Sequence, residues 1–204
     1  MALGFSLKNE SNGGDFDDIL KWDAKAGDLI RVDRFRDASG DYARNEEEVK
    51  LPIKFAADLG DMEVGWLSFA TGRPDFAMTK IGTKMPERPS QDHKEAARFR
   101  VYNKELGVRA FSHSAKTVLR AIDALHDQYI AECRANEGKL PVIEIADTET
   151  VKINTPQGEL RFKIPAWKIV GWTDRPAAME EKKADIPAPP AYGGEPQPDD
   201  ADLF

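Results

Sequence analysis

The chain changes its hydrophobic period near residue 114, and few architectures accommodate that change. Upstream, Ala97-Arg98-Phe99-Arg100-Val101-Tyr102 alternates residue by residue. Phe99 and Val101 point one way, and Arg98, Arg100 and Tyr102 the other, the pattern of a half-buried strand. Downstream, Val118, Leu119, Ile122, Leu125, Tyr129, Ile130 and Cys133 fall on one stripe of an amphipathic helix. The spacing predicts Ser114 as its N-cap, because a hydroxyl can accept an orphan amide hydrogen bond, and Gly138 as its stop. Cys133 on that stripe reads as core.

Short β-like runs surround this helix. They are Gly27–Phe35, Leu51–Phe55, Glu63–Ala70, Asp75–Ile81 and Val108–His113 before it. After it come Pro141–Ile145, Thr150–Ile153, Leu160–Ile164 and Trp167–Trp172, with Thr155-Pro156-Gln157-Gly158 as a hairpin turn. Asp37–Lys50 reads as a polar connection. The expected fold is mainly β with one principal α-helix, a β-rich α+β domain over residues 19–176, in the form of an OB-fold-like small barrel. Residues 1–18 read as a flexible arm and 177–204 as a disordered tail, whose Pro/Gly-rich composition cannot bury enough surface to order the chain.

The formal net charge of −7 argues at first against a polyanion as partner. Its distribution reverses that argument. Residues 177–204 hold seven acids against Lys182 and Lys183, whereas Arg73 to Arg109 holds nine bases against five acids. A basic centre with interleaved aromatics suits a single nucleic-acid strand, which is held by phosphate contacts and by stacking of bases on flat side chains. The candidate strand-binding residues are Arg31, Phe35, Lys54, Trp66, Arg73, Phe76, Lys80, Lys84, Arg88, Lys94, Arg98, Arg100 and Tyr102. The competing reading sends Trp66, Phe69, Phe99, Phe111, Trp167 and Trp172 to the core.

The chain ends Pro198-Asp199-Asp200-Ala201-Asp202-Leu203-Phe204. Acids on a tether followed by two apolar residues make a docking peptide for an apolar pocket with a basic rim. This ending resembles the C-terminal peptide of single-stranded-DNA-binding proteins, with Leu203 where bacterial members carry proline. The body is similar to a group of phage and prophage proteins in Trp22-Asp23-Ala24-Lys25-Ala26-Gly27, Glu63-Val64-Gly65-Trp66 and Ile169-Val170-Gly171-Trp172-Thr173-Asp174-Arg175-Pro176. The resemblance implies an OB-fold, strand binding without base specificity in DNA replication or recombination, and a tail that recruits proteins through Asp199, Asp200, Asp202, Leu203 and Phe204.

Rival chemistries have thinner support. Pro74-Asp75 followed by Asp92-His93-Lys94 loosely matches a metal-dependent nuclease pattern, in which Asp75 and Asp92 would hold Mg²⁺ and Lys94 would position water. A protein-docking role without nucleic acid would use the same tail. Cys133 is the sole cysteine, and His93, His113 and His126 share no metal-ligand spacing, so neither a resident metal nor a cofactor is expected. No run approaches eighteen apolar residues and the start lacks a signal pattern, so a cytoplasmic chain without membrane association is expected, with homo-oligomerisation left open.

Overall fold

The computed structural model describes residues 18–36, 39–40, 42–71, 74–156 and 158–180. The strands are β1 (Ile19–Asp23), β2 (Asp28–Arg36), β3 (Tyr42–Val49), β4 (Ile53–Ala57), β5 (Glu63–Ser68) and β6 (Asp75–Lys80), followed by β7 (Lys94–Asn103) and β8 (Gly107–His113). After the helix α1 (Lys116–Glu132) come β9 (Lys139–Thr155) and β10 (Gly158–Asp174). Ala177–Met179 forms a final 3-10 turn. The expected β-rich fold with one α-helix among the described residues is what the chain adopts. The tail is expected to begin at residue 177, but Ala177–Met179 is ordered with Met179 buried, because that side chain packs on Ala56 and Leu140; the tail from 181 and most of the expected arm lie outside the described residues.

All ten strands belong to one sheet, in the order β10-β9-β4-β7-β8-β1-β2-β3. β7 is its hub. One edge pairs with β8; the other pairs with β5 through residues 94–98 and with β4 through Val101 and Tyr102. β6 extends the sheet from β5. The ladder does not close into the expected barrel. Among the described residues, β10 returns to the end of β1 and the turn after it through two bonds, Lys163 N–H to the Ala24 carbonyl at 2.7 Å and Trp22 Nε1–H to the Lys163 carbonyl at 3.0 Å. Pro165 offers no N–H to prolong that contact, and register shifts between Pro165 and Trp167 and between Ile169 and Gly171 bend the strand further.

The core lies on the face of this sheet that α1 covers. Phe99 and Val101 of β7 are buried there with Leu20, Trp22, Phe111, Ile143 and Ile145, and α1 covers them with Val118, Ile122 and Leu125. Phe111 and Trp167 meet edge to face at 5.4 Å, an arrangement the aromatic quadrupole favours. The apolar stripe of α1 is core only over its first three turns: Ile130 is exposed, and Cys133, beyond the helix end, is half-buried rather than core. No helix among the described residues is long and apolar enough to cross a membrane.

The start of α1 departs from expectation. Its N-cap is Ala115, which makes no side-chain cap bond. His113 serves instead: the Ala115 N–H donates to its Nδ1 at 3.0 Å, and its Nε2 lies 3.2 Å from the Trp22 carbonyl. With Nδ1 accepting, Nε2 carries the proton and donates to Trp22. Burial lowers the His113 pKa from its ordinary value, against the opposing pull of the Trp22 carbonyl and Asp23. The unfolded chain therefore takes up this proton first. Unfolding free energy is present above about pH 6.5 and falls as pH drops below it towards the folded pKa. Urea denaturation at stepped pH checks this. The slope lost in His113→Gln is the part His113 supplies, since His126 is also lowered by burial and adds to the same trend.

Candidate nucleic-acid interface

Residues in register share a face of the sheet. The face of β5, β6 and β7 opposite Phe99 and Val101 carries three cross-strand rows, in which Ala96 and Leu67 are buried. The rows are Arg98–Glu63–Lys80, Ala96–Gly65–Met78 and Lys94–Leu67–Phe76. Arg98 reaches diagonally past the middle row and sets its guanidinium 5.3 Å from the centre of the Phe76 ring. Its Nε also lies 3.9 Å from Glu63. Phe76 keeps 37% of its surface exposed, and Phe69, one residue beyond β5, keeps 61%. Lys80 forms an ion pair with Asp61 at 2.5 Å, and Lys94 is exposed at the start of β7. Here Arg98, Phe76, Lys80 and Lys94 come together, with Phe69 at the end of β5.

The same β7 face continues into a different environment. Arg100 donates from Nη2 to Asp58 Oδ2 at 3.3 Å. Asp58, whose side chain is 3% exposed, also accepts from Arg175 Nη1 at 2.7 Å and Nη2 at 3.0 Å. A buried carboxylate thus ties β7 to the end of β10. Tyr102 packs with Val108 against Ala56, Leu140 and the buried Met179. Residues 177–180 therefore lie against the face that Tyr102 was expected to offer to a base.

The remaining candidates are distributed more widely. Trp66 donates from Nε1 to the Pro86 carbonyl at 2.8 Å, and the Arg88 guanidinium stands 5.4 Å from its ring. Arg88 in turn donates to the carbonyls of His93 at 2.8 Å and Gln91 at 2.5 Å. These two side chains fasten the 82–93 loop onto β5, and Lys84 is exposed within it. Arg31 is on the opposite side of the sheet, 2.7 Å from Asp33 and 3.7 Å from Glu47. Asp33 also pairs with the buried Arg109 at 2.6 Å. Burial pushes the Asp33 carboxyl up, but the bonds from Arg31 and Arg109 outweigh it and leave its pKa lowered. Lys54 lies 3.6 Å from Glu144. Arg31, Lys54 and Tyr102 line a cleft of about 800 Å³ that also holds Glu47, Glu48 and Glu105, so its charge is mixed. Phe35 is half exposed on β2, remote in register from β7. Arg73 and the docking peptide Asp199, Asp200, Asp202, Leu203 and Phe204 lie outside the described residues.

The residues of the nuclease pattern lie at the start of β6 and in the turn before β7. Asp75 Oδ2 stands 3.3 Å from His93 Nε2, and Asp92 occupies the turn before β7, its N–H donating to Ser90 Oγ at 3.3 Å. Among the described residues, no three His, Cys, Asp or Glu side chains converge as a metal site.

Sequence reasoning did not name Phe69 among the strand-binding residues, placing it only in the competing core reading, and missed the Asp58–Arg175 pair. Phe69 directly precedes a turn, where alternation no longer enforces burial. Asp58 and Arg175 are 117 residues apart and carried no local signal. No protein-family model, curated protein or solved structure matches this chain.

Proposed function

We propose that the protein binds single-stranded DNA without base specificity across the Arg98–Phe76 face of β5, β6 and β7. Its acidic C-terminal peptide then recruits replication or recombination proteins in a phage or prophage setting. The observation that carries this reading is the exposed Phe76 ring with the Arg98 guanidinium against it. A flat apolar surface next to a delocalised cation is what a base and its phosphate require together, and stacking tolerates any base because every base has a π-face. Lys80, Lys94 and Phe69 extend that surface along the strand's path. Arg100 and Tyr102, further along the same face of β7, are left out of it, since their side chains are engaged by Asp58 and by the Met179 cluster. The role is binding rather than catalysis.

Fluorescence anisotropy with labelled oligo-dT, read at two salt concentrations against duplex competitor, tests the proposal. The intact protein binds dT, weakens with salt and resists the duplex. Phe76→Ala loses about 1–3 kcal/mol, or roughly 5- to 150-fold in Kd. Arg98→Ala weakens binding and flattens the salt dependence. Absence of dT binding by both the intact and the tail-deleted protein rejects the reading.

A further inference from the structure

β6 is an edge strand: among the described residues it pairs with β5 alone. The Ile81 N–H donates to the Met62 carbonyl at 2.8 Å, just past the β5–β6 ladder. Backbone groups of an antiparallel strand alternate in direction, so Ala77 and Thr79 also turn theirs towards β5. Phe76 and Met78 turn their N–H and C=O to the open side. Native edges are usually blunted by charge, proline or a bulge. Phe76-Ala77-Met78-Thr79 carries neither charge nor proline, and Asp75 and Lys80 stand at its two ends. The edge strand β3, by contrast, carries Glu46, Glu47 and Glu48.

Such an edge fits a second copy of itself. A two-fold axis perpendicular to the sheet pairs β6 with β6 antiparallel and keeps each face on its own side. With the axis at Met78, each Met78 N–H donates to the carbonyl of the other. Phe76 then stands opposite Lys80 of the second copy, and Ala77 opposite its Thr79. Asp75 stands opposite Ile81, so no like charges meet. An axis at Ala77 would instead set Lys80 opposite Pro74, which has no N–H to donate. Thr83 holds the Lys80 carbonyl through its N–H at 3.1 Å and its hydroxyl at 2.6 Å, which keeps the new ladder short.

We infer that the open edge of β6 is a self-association surface, through which two copies join about a two-fold axis at Met78 into one continuous sheet. The contact is small, so the dimer is reversible, with a Kd on the order of 10–100 µM. The pairing itself does not rest on nucleic-acid binding. Its consequence for a bound strand does rest on that reading: the Phe76–Arg98 pairs of both copies share one face, with Lys80 of each copy beside the ring of the other.

Sedimentation equilibrium of the full chain without DNA, from about 5 to about 500 µM, tests the assignment. The unmodified protein passes from monomer to dimer over that range. Met78→Pro stays monomeric: proline is tolerated on an edge whose N–H faces outward, so the β5–β6 ladder survives while the central pair is lost. Met78→Lys keeps the N–H but sets two ammonium groups against each other at the axis, and weakens the dimer about fivefold. In a Cys133→Ser background, Met78→Cys gives a disulfide-linked dimer on mild oxidation, because the Cα atoms of a hydrogen-bonded pair stand about 5.5 Å apart. Ala77→Cys in the same background does not. A wild-type chain that stays monomeric up to about 500 µM overturns the assignment. So does a dimer that both Met78→Pro and Met78→Lys leave unchanged, or one that crosslinks through Ala77→Cys instead of Met78→Cys.

Discussion

Arg175→Ala is expected to remove about 3 kcal/mol of unfolding free energy, the lower end of the cost of stranding a buried charge. Asp58 is the buried member of its cluster, and Arg175 supplies two of its three guanidinium bonds, at 2.7 and 3.0 Å. Without them the carboxylate keeps only Arg100, at 3.3 Å, as a guanidinium partner. The cost falls at the lower end because Arg100 remains. The arginines are about one-third exposed, so Asp58→Ala leaves charges that can still reach solvent and is expected to cost less. The Asp58→Ala/Arg175→Ala pair is therefore expected to be more stable than Arg175→Ala alone, a coupling of opposite sign to simple additivity. Urea denaturation of the three variants measures it. Equal, additive losses would mean that Asp58 is solvated in solution and that the 175–180 segment is held by Met179 packing alone.

This cluster also shows where a sequence stops being informative. β7 is legible because its neighbours impose a solvated face and a core face on successive residues, and Arg98, Phe99, Arg100 and Val101 record both. α1 is legible for the same reason, but only over the turns that face the sheet; Ile130 and Cys133 continue the stripe after the core has ended. β3 could not be read. Tyr42-Ala43-Arg44-Asn45-Glu46-Glu47-Glu48-Val49 places charge on both faces, because an edge strand needs only one partner ladder, here β2, and charges discourage further pairing. β9 was divided in two because Asp147-Thr148-Glu149 interrupts its apolar pattern, while β10 pairs with it across that interruption. The helix N-cap is Ala115 rather than Ser114, and its N–H is met by His113, whose ring is held by a carbonyl on β1 that no local rule contains. The candidate site follows the same logic. Arg98 and Phe76 were each nameable from composition. Their meeting depends on the registers of β5 with β6 and of β5 with β7, which are long-range facts.

Gly65→Ala is expected to have the more severe local consequence. Gly65 occupies the middle of the three cross-strand rows, between those of Arg98 and Phe76. A Cβ there would stand 2.2 Å from the Ala77 carbonyl oxygen and 2.9 Å from Met78 Cα, both backbone atoms of β6. Neither can retreat without breaking the β5–β6 ladder, so the overlap must be relieved by detaching β6. Overpacking of this kind costs about 1–3 kcal/mol and more where backbone must move. Gly60→Ala provides the comparison, because its added Cβ would meet only the Tyr129 hydroxyl at 2.7 Å, the end of a side chain that can turn aside. The expected outcome is a mild loss for Gly60→Ala and, for Gly65→Ala, a large fall in Tm with loss of amide-exchange protection across Asp75–Lys80. If the variant still folds, oligo-dT affinity should drop to that of Phe76→Ala, since a detached β6 takes its ring away from Arg98. Unchanged protection in β6 would show that β5 and β6 can separate slightly without unpairing. Full dT affinity with β6 detached would instead place the bound strand elsewhere on the sheet and detach the Phe76–Arg98 pair from the binding role.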